Sequence, residues 1–239
     1  MQDWVHVAKP DGDGPFPVVV FFHHGPGFDD GSQQLVQLIA DRGYYVAAID
    51  RYHRFEPWVR FDMAKARDPK NPENPERQRM MSMLFGTTDE QVEEDVSALL
   101  ADLQSEPAAG DGAMGCIGYC IGARSVLRTM ANHPDVFLAG VGLHPSFCAT
   151  DDPDSPHLAV PSLPGRLYIG IGEADQMQSV EMNKPLIAAV DELGDRGTVE
   201  IHPGADHGFA VPGSPAYQEA AASRSYDHAF AMFAQALSR

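Results

Sequence analysis

The pentapeptide Gly118-Tyr119-Cys120-Ile121-Gly122 decides how the rest of the chain is read. It stands between a short apolar run, Ala113 to Tyr119, and a segment with helical spacing, Ile121 to Asn132. The reading is strand, sharp turn, helix. The form G-x-C-x-G is that of a nucleophile elbow with cysteine where serine is usual. Such a turn is so tight that side chains two positions either side of its centre would collide with the neighbouring strand and helix. In return the central side chain projects above the sheet at a helix N-terminus, where free amides and the helix dipole favour a thiolate. A buried structural thiol in a glycine-rich turn is the other reading of the motif taken alone.

Outward from the elbow, apolar runs alternate with amphipathic segments, the pattern of βαβ units feeding a mostly parallel sheet. Pro17 to His23, Tyr44 to Ile49, Phe137 to Leu143, Arg166 to Ile171 and Thr198 to His202 read as strands. Ser32 is placed to cap a helix carrying Leu35, Val36, Leu38 and Ile39, which stops at Gly43. Thr88 and Gln91 stand in capping-box relation ahead of the stripe Val92, Val96, Leu99, Leu100 and Leu103. A further helix is predicted over about 180–193. Ser214-Pro215 is expected to open the closing helix, whose Ala229, Phe230, Phe233 and Leu237 face the core. The expected architecture is one α/β domain over residues 1–239, with a mostly parallel central sheet and helices on both faces. Its one irregular part is a polar, proline-punctuated excursion at about 51–87, which includes Asp68-Pro69-Lys70-Asn71-Pro72 and is expected to roof the site.

Composition narrows the function. The 239 residues carry 17 Lys and Arg against 34 Asp and Glu, a formal charge of −17, with 44% hydrophobic residues. Such an excess repels phosphate backbones and anionic lipid, so neither nucleic acid nor a membrane surface is an expected partner. The longest apolar run, Val18 to Phe22, is far below the ~20 residues of a membrane span. The opening residues lack the basic flank and apolar segment of a secretory signal, which makes the cytoplasm the expectation. Three cysteines, Cys116, Cys120 and Cys148, make neither a disulfide framework nor a zinc site, and no metal or cofactor is expected.

Chain order strengthens the elbow. A hydrolase built on it needs an acid after a later strand and a histidine after the last one. Gly170-Ile171-Gly172-Glu173-Ala174-Asp175 supplies the acid, and Ala205-Asp206-His207-Gly208-Phe209 the histidine. With these segments the chain resembles the dienelactone hydrolase family, a cysteine-nucleophile branch of the α/β-hydrolases, from about Pro17 to Leu237. The resemblance implies an α/β-hydrolase fold in which Cys120 is the nucleophile, His207 the general base and then acid, and Asp175 the residue that holds the imidazole tautomer. Asp206 and Glu173 are the rival acids. Asp206 is disfavoured because a residue adjacent to His207 projects away from its ring.

The oxyanion hole is expected to combine the amides of Ile121 and of Gly25 in His23-His24-Gly25-Pro26-Gly27, since Pro26 has no N–H. Two departures from the family pattern bear on substrate. Where family members carry a glutamate beside the thiol, this sequence places His24. Of the two arginines that the family uses to hold a substrate carboxylate, the resemblance points to Arg79 for one, while Val211 stands at the other. Arg79 reads otherwise as an ordinary surface arginine. Trp58 and Phe209 complete the expected substrate-binding set with His24 and Arg79, and Phe61, Met80, Met81 and Met83 are candidates to roof the pocket.

The expectation is therefore a cofactor-independent hydrolase of small-molecule esters or lactones that works through a thioester. Hydrolysis of activated phosphoesters on the same residues is the alternative within enzymes. A binding protein without turnover is the alternative outside them. The oligomeric state is left open by the sequence.

Overall fold

The computed structural model describes residues 1–68 and 70–237; Pro69, within the expected excursion, lies outside the described residues. Seven strands form one sheet: β1 (Val5–Ala8), β2 (Val18–Phe22), β3 (Tyr45–Ile49), β4 (Met114–Tyr119), β5 (Phe137–Leu143), β6 (Arg166–Gly172) and β7 (Gly197–His202). Their order is β1-β3-β2-β4-β5-β6-β7. Every pairing is parallel except that of β1 with β3. The order reverses between β2 and β4, and ligands of open α/β sheets sit beyond the strand ends at such a point.

Strands buried on both faces must be apolar throughout, and β2, Val-Val-Val-Phe-Phe, is buried at all five positions. Its alternate residues feed two cores. Val18, Val20 and Phe22 belong to one core with residues of α4 (Asp89–Leu103), α5 (Ile121–Asn132) and α6 (Lys184–Asp191), among them Val96, Leu99, Val126 and Leu186. Val19 and Phe21 pack with α1 (Asp30–Asp41) and α7 (Glu219–Ala236) through Leu35, Ile39 and Phe233. Burial of this kind contributes about 25 cal/mol per Å² of apolar surface, which makes the two cores the main source of stability.

The expected strands and the Thr88–Gln91 capping box are present. Four expectations are corrected. Asp29, rather than Ser32, caps α1: its Oδ1 accepts from the Ser32 amide at 2.8 Å, and the Ser32 hydroxyl turns inward to the Gly27 carbonyl. The helix expected over 180–193 begins at Lys184. Ser214-Pro215 makes a turn, with the Ala216 amide on Ser214 Oγ and the Tyr217 amide on its carbonyl, and the closing helix starts at Glu219. The excursion is not irregular, since it holds α2 (Met63–Ala66) and α3 (Pro75–Gly86), the latter capped by Asn74 with Pro75 opening it. β1, short and antiparallel, has no counterpart in the sequence reading.

Candidate active site

Cys120 lies between β4 and α5 with φ 55° and ψ −118°, a left-handed conformation that costs a non-glycine residue energy. The flanking glycines are there for space. A Cβ on Gly118 would lie 2.1 Å from the Gly122 carbonyl oxygen, and one on Gly122 would lie 2.3 Å from that of Phe22. No side chain is compatible with contacts that close to backbone. The elbow thus aims Cys120 beyond the ends of β2 and β4, at the reversal of strand order.

His207 comes from the loop after β7. Its Nδ1–H donates to Asp175 Oδ2 at 2.7 Å. Asp175 follows β6 and is 1% exposed, and its Oδ1 accepts the amides of Met177 and Gln178, each at 2.8 Å. The two rival acids are engaged elsewhere. Asp206 Oδ1 accepts the amide of His207 itself, and Glu173 Oε2 accepts that of Gly204. The second ring nitrogen of His207, Nε2, is buried and makes no hydrogen bond, and the ring is near enough to Cys120 for each to shift the other's titration.

Burial opposes a thiolate at Cys120, but hydrogen bonding and charge from His207, a bond from Ser146 and the Gly25 backbone outweigh it and hold the thiol below its ordinary range. Burial likewise opposes an imidazolium at His207. Asp175 and Cys120 overcome it and lift His207 to about 10. The arrangement favours a thiolate–imidazolium pair. Cys116 and Cys148 are fully buried and pushed the other way.

Two supporting groups escaped the sequence reading. Ser146, in the loop after β5, has Oγ 3.2 Å from Cys120 Sγ, and its amide donates to the Cys120 carbonyl at 3.1 Å. His144, with φ 39°, sets its ring 5.0 Å from that of His207, and both its nitrogens are buried without a partner. Burial, with the charge of His207 next, keeps His144 neutral. Only the short spacing from the end of β5 could have pointed to either.

The Gly25 backbone reaches the Cys120 thiol, and Ile121 follows Cys120 in the chain. The Ile121 amide is the first of α5 and belongs to the free first turn. The peptide that carries the Gly25 amide is fixed through its other end, where the His24 carbonyl accepts from Gly27 N at 3.0 Å and His23 Nδ1 at 2.7 Å. Tyr52, buried, donates its hydroxyl to the Gly25 carbonyl at 2.8 Å and fixes the next peptide as well.

The expected substrate-binding residues scatter. His24 is buried with Nε2–H on Asp29 Oδ2 at 2.9 Å, and it lines a cavity of about 360 Å³ with Met63, Arg67, Val211 and Ser214. Burial outweighs Asp29 and keeps His24 below its ordinary value. Arg79 is held by Glu56 and Glu76 over the Phe61 ring and lines neither this cavity nor the larger one, of about 400 Å³, beside Ile121. Trp58 packs on Phe28 and His6 and donates Nε1–H to the Asp3 carbonyl, on the β1 side. Phe209 is fully buried against His202 and His144, so it supports the His207 loop rather than facing a ligand. The excursion borders the cavities through Met63, Ala64 and Arg67 on one side and Leu84, Phe85 and Thr87 on the other; Met80, Met81 and Met83 line neither. Among the described residues no group of three or more His, Cys, Asp or Glu is placed to hold a metal ion, and no helix is long and apolar enough to cross a membrane.

A family model described as the dienelactone hydrolase family matches residues 5–237. The chain belongs to the dienelactone hydrolase family. Its members are hydrolases acting on ester bonds, and this chain is one of them. A Synechocystis sp. protein provisionally named carboxymethylenebutenolidase is 23% identical over 233 residues, covering 95% of this chain and 89% of its own. Among solved structures, a Klebsiella pneumoniae protein provisionally named dienelactone hydrolase is 20% identical with a TM-score of 0.79, over 97% of this chain and 92% of that one. A dienelactone hydrolase-like promiscuous phosphotriesterase from metagenomic libraries is 17% identical with a TM-score of 0.66, over 95% and 89%. These structures establish the α/β-hydrolase fold.

Proposed function

We propose that this chain hydrolyses carboxylic esters or lactones through a thioester on Cys120, with His207 and Asp175 completing the triad. The observation that carries the reading is the 2.7 Å bond from His207 Nδ1 to buried Asp175, which leaves Nε2 buried and without a hydrogen-bond partner in the neighbourhood of Cys120. In the first step the thiolate attacks the carbonyl carbon, and the carbonyl oxygen takes the negative charge between the amides of Gly25 and Ile121. As the tetrahedral centre collapses, the carbon–oxygen bond to the alcohol breaks and imidazolium His207 gives that oxygen its proton. His207, now neutral, takes a proton from water, whose oxygen attacks the thioester. The second collapse releases the acid and restores the thiolate and the imidazolium. Asp175 keeps Nδ1–H in place throughout, so that Nε2 always faces the chemistry.

Activated phosphotriesters are a second reading, supported by the phosphotriesterase among the structural neighbours and by the same standing thiolate. Burst kinetics with an aryl ester test the first. A nucleophilic enzyme releases aryl alcohol stoichiometrically before its steady state, and Cys120→Ala loses both phases. A folded Cys120→Ala protein with undiminished turnover rules the reading out. An aryl phosphotriester in the same assay tests the second.

A further inference from the structure

At the end of the sheet opposite the proposed triad, the openings of β6 and β7 bring two arginines together. Arg166 is the first residue of β6, and Arg196 precedes Gly197, the first of β7. Leu167 pairs with Gly197 in the parallel ladder, so Arg166 and Arg196, one position earlier on each strand, stand side by side. Each donates to the chain just ahead of the other. Arg166 Nη1 bonds the Asp195 carbonyl at 3.1 Å, and Arg196 Nη1 bonds the Gly165 carbonyl at 3.3 Å and that of Leu163. A guanidinium has five N–H donors on three nitrogens. The exchange fixes both groups and uses one nitrogen of each, so that Nη2 and Nε of both make no hydrogen bond to the described residues.

Both arginines line a cavity of about 210 Å³ with Tyr168, Thr198, His228 and Asp195. Asp195 is the one carboxylate of that lining among the described residues, and it meets Arg166 through its backbone. Neither arginine is ion-paired among the described residues, whereas Arg54, Arg60, Arg79, Arg124, Arg128 and Arg224 each are. In a chain with 34 acidic residues against 17 basic ones, that pairing is the rule and this cavity departs from it. Two cations fixed side by side without a counter-ion repel each other. A dianion relieves the repulsion and accepts the free N–H groups. Phosphate, a tetrahedral dianion, presents oxygens to both guanidinium forks at once, and the exposed Thr198 stands at the same cavity. The net charge of −17 opposes polyanions spread over the surface, but physiological salt screens it beyond about 8 Å and leaves a local pair of cations effective.

We propose that Arg166 and Arg196, clasped to each other's strand at the openings of β6 and β7, form a phosphate-binding site that takes inorganic phosphate or the phosphate group of a small monoester. The seven residues of β6, at about 3.3 Å each, set the site roughly 20 Å from the Asp175 turn. It is separate from the proposed triad and does not depend on the ester-hydrolase reading. A bound phosphate ties together the two strands whose other ends lead to Asp175 and His207, and stabilises the fold by linkage.

Calorimetric titration of the wild type tests it, with inorganic phosphate and methyl phosphate as probes, each against chloride at matched ionic strength. Saturable binding at one site is expected for at least one probe, with a Kd on the order of 1 mM or tighter. Tighter binding of one probe tells free phosphate from a monoester. Arg166→Gln and Arg196→Gln should each weaken binding about tenfold or more, and Arg196→Lys should keep part of it. Arg77→Gln, at an exposed arginine of α3, should leave it unchanged, and Cys120→Ala should bind as the wild type does. Where a glutamine variant does not fold, amide chemical shifts of the wild type decide in its place: phosphate should move those of Arg166, Arg196 and Thr198. The proposal is overturned by the absence of saturable binding for both probes, by binding that both glutamine variants retain, by binding lost in Cys120→Ala, or by shifts confined to the loops of the triad.

Discussion

Nδ1 of His207 lies 2.7 Å from Oδ2 of Asp175, although 32 positions of chain separate the two residues. The contact follows from β6 and β7 being parallel neighbours whose trailing loops leave the sheet on the same edge. Asp175→Asn would set an amide N–H against Nδ1–H and turn the ring to the wrong tautomer. We expect kcat to fall roughly 10³–10⁴-fold, with the fold retained. Asp206→Asn should cost little by comparison, because Asp206 bonds only the local amide. Steady-state kinetics of the two variants decide, and a larger loss in Asp206→Asn contradicts the assignment.

The thiol should titrate early. His207, Ser146 and Gly25 together outweigh burial at Cys120, so the thiolate persists below the pKa of ~8.5 of a free cysteine. The rate of iodoacetamide alkylation should therefore reach half its plateau below that pH and fall as pH drops through the lowered value. Cys116 and Cys148 are buried and held protonated, so the native protein reports Cys120. Ser146→Ala removes a 3.2 Å partner and should move the midpoint upward, while Ser146→Thr restores it. An unchanged midpoint in Ser146→Ala denies the hydroxyl any role at the thiolate.

Tyr52 is expected to act through Gly25. Tyr52→Phe frees the Gly25 carbonyl and loosens the peptide that follows it, so kcat should fall about tenfold with KM little altered. A change confined to KM would place Tyr52 in substrate binding instead.

Gly122→Ala should be among the most damaging small substitutions in the chain. Its methyl would stand 2.3 Å from a backbone oxygen of β2, and urea denaturation should show a loss of about 3 kcal/mol. Gly112, with nothing within 4 Å, is the internal control: Gly112→Ala should stay within ~0.5 kcal/mol of wild type. Equal effects at both positions would undo the steric account of the elbow.

Arg79→Ala should alter acidic and neutral esters alike, since Glu56 and Glu76 already satisfy its charge. The ratio of kcat/KM for the two ester types is the measurement. A selective loss for the acidic ester would return Arg79 to the substrate site.

The elbow, six of the seven strands and the nearness of Asp175 to His207 were legible because each rests on a local rule: glycines at a tight turn, apolar runs of strand length, loops that follow strands. The Asp29 cap was missed because Ser32 and Asp29 are both good capping residues, and only the path of the chain from Gly27 selects between them. Ser146 and His144 carry no signal beyond their closeness to the end of β5, and they are placed by a turn whose left-handed His144 and Phe147 no propensity announces. Phe209 was misassigned because its nearness in sequence to His207 says nothing of direction, and in the fold its ring points into the core.

The covalent intermediate is the centre of the account, and intact mass spectrometry of the enzyme quenched in acid during turnover of a slow aryl ester addresses it most directly. The expected result is a mass increase of one acyl group, mapped by peptide digestion to Cys120, accumulating further in Asp175→Asn if deacylation slows more than acylation, and absent from Cys120→Ala. Turnover with no acylated species at Cys120, or with the acyl group on another residue, would contradict it.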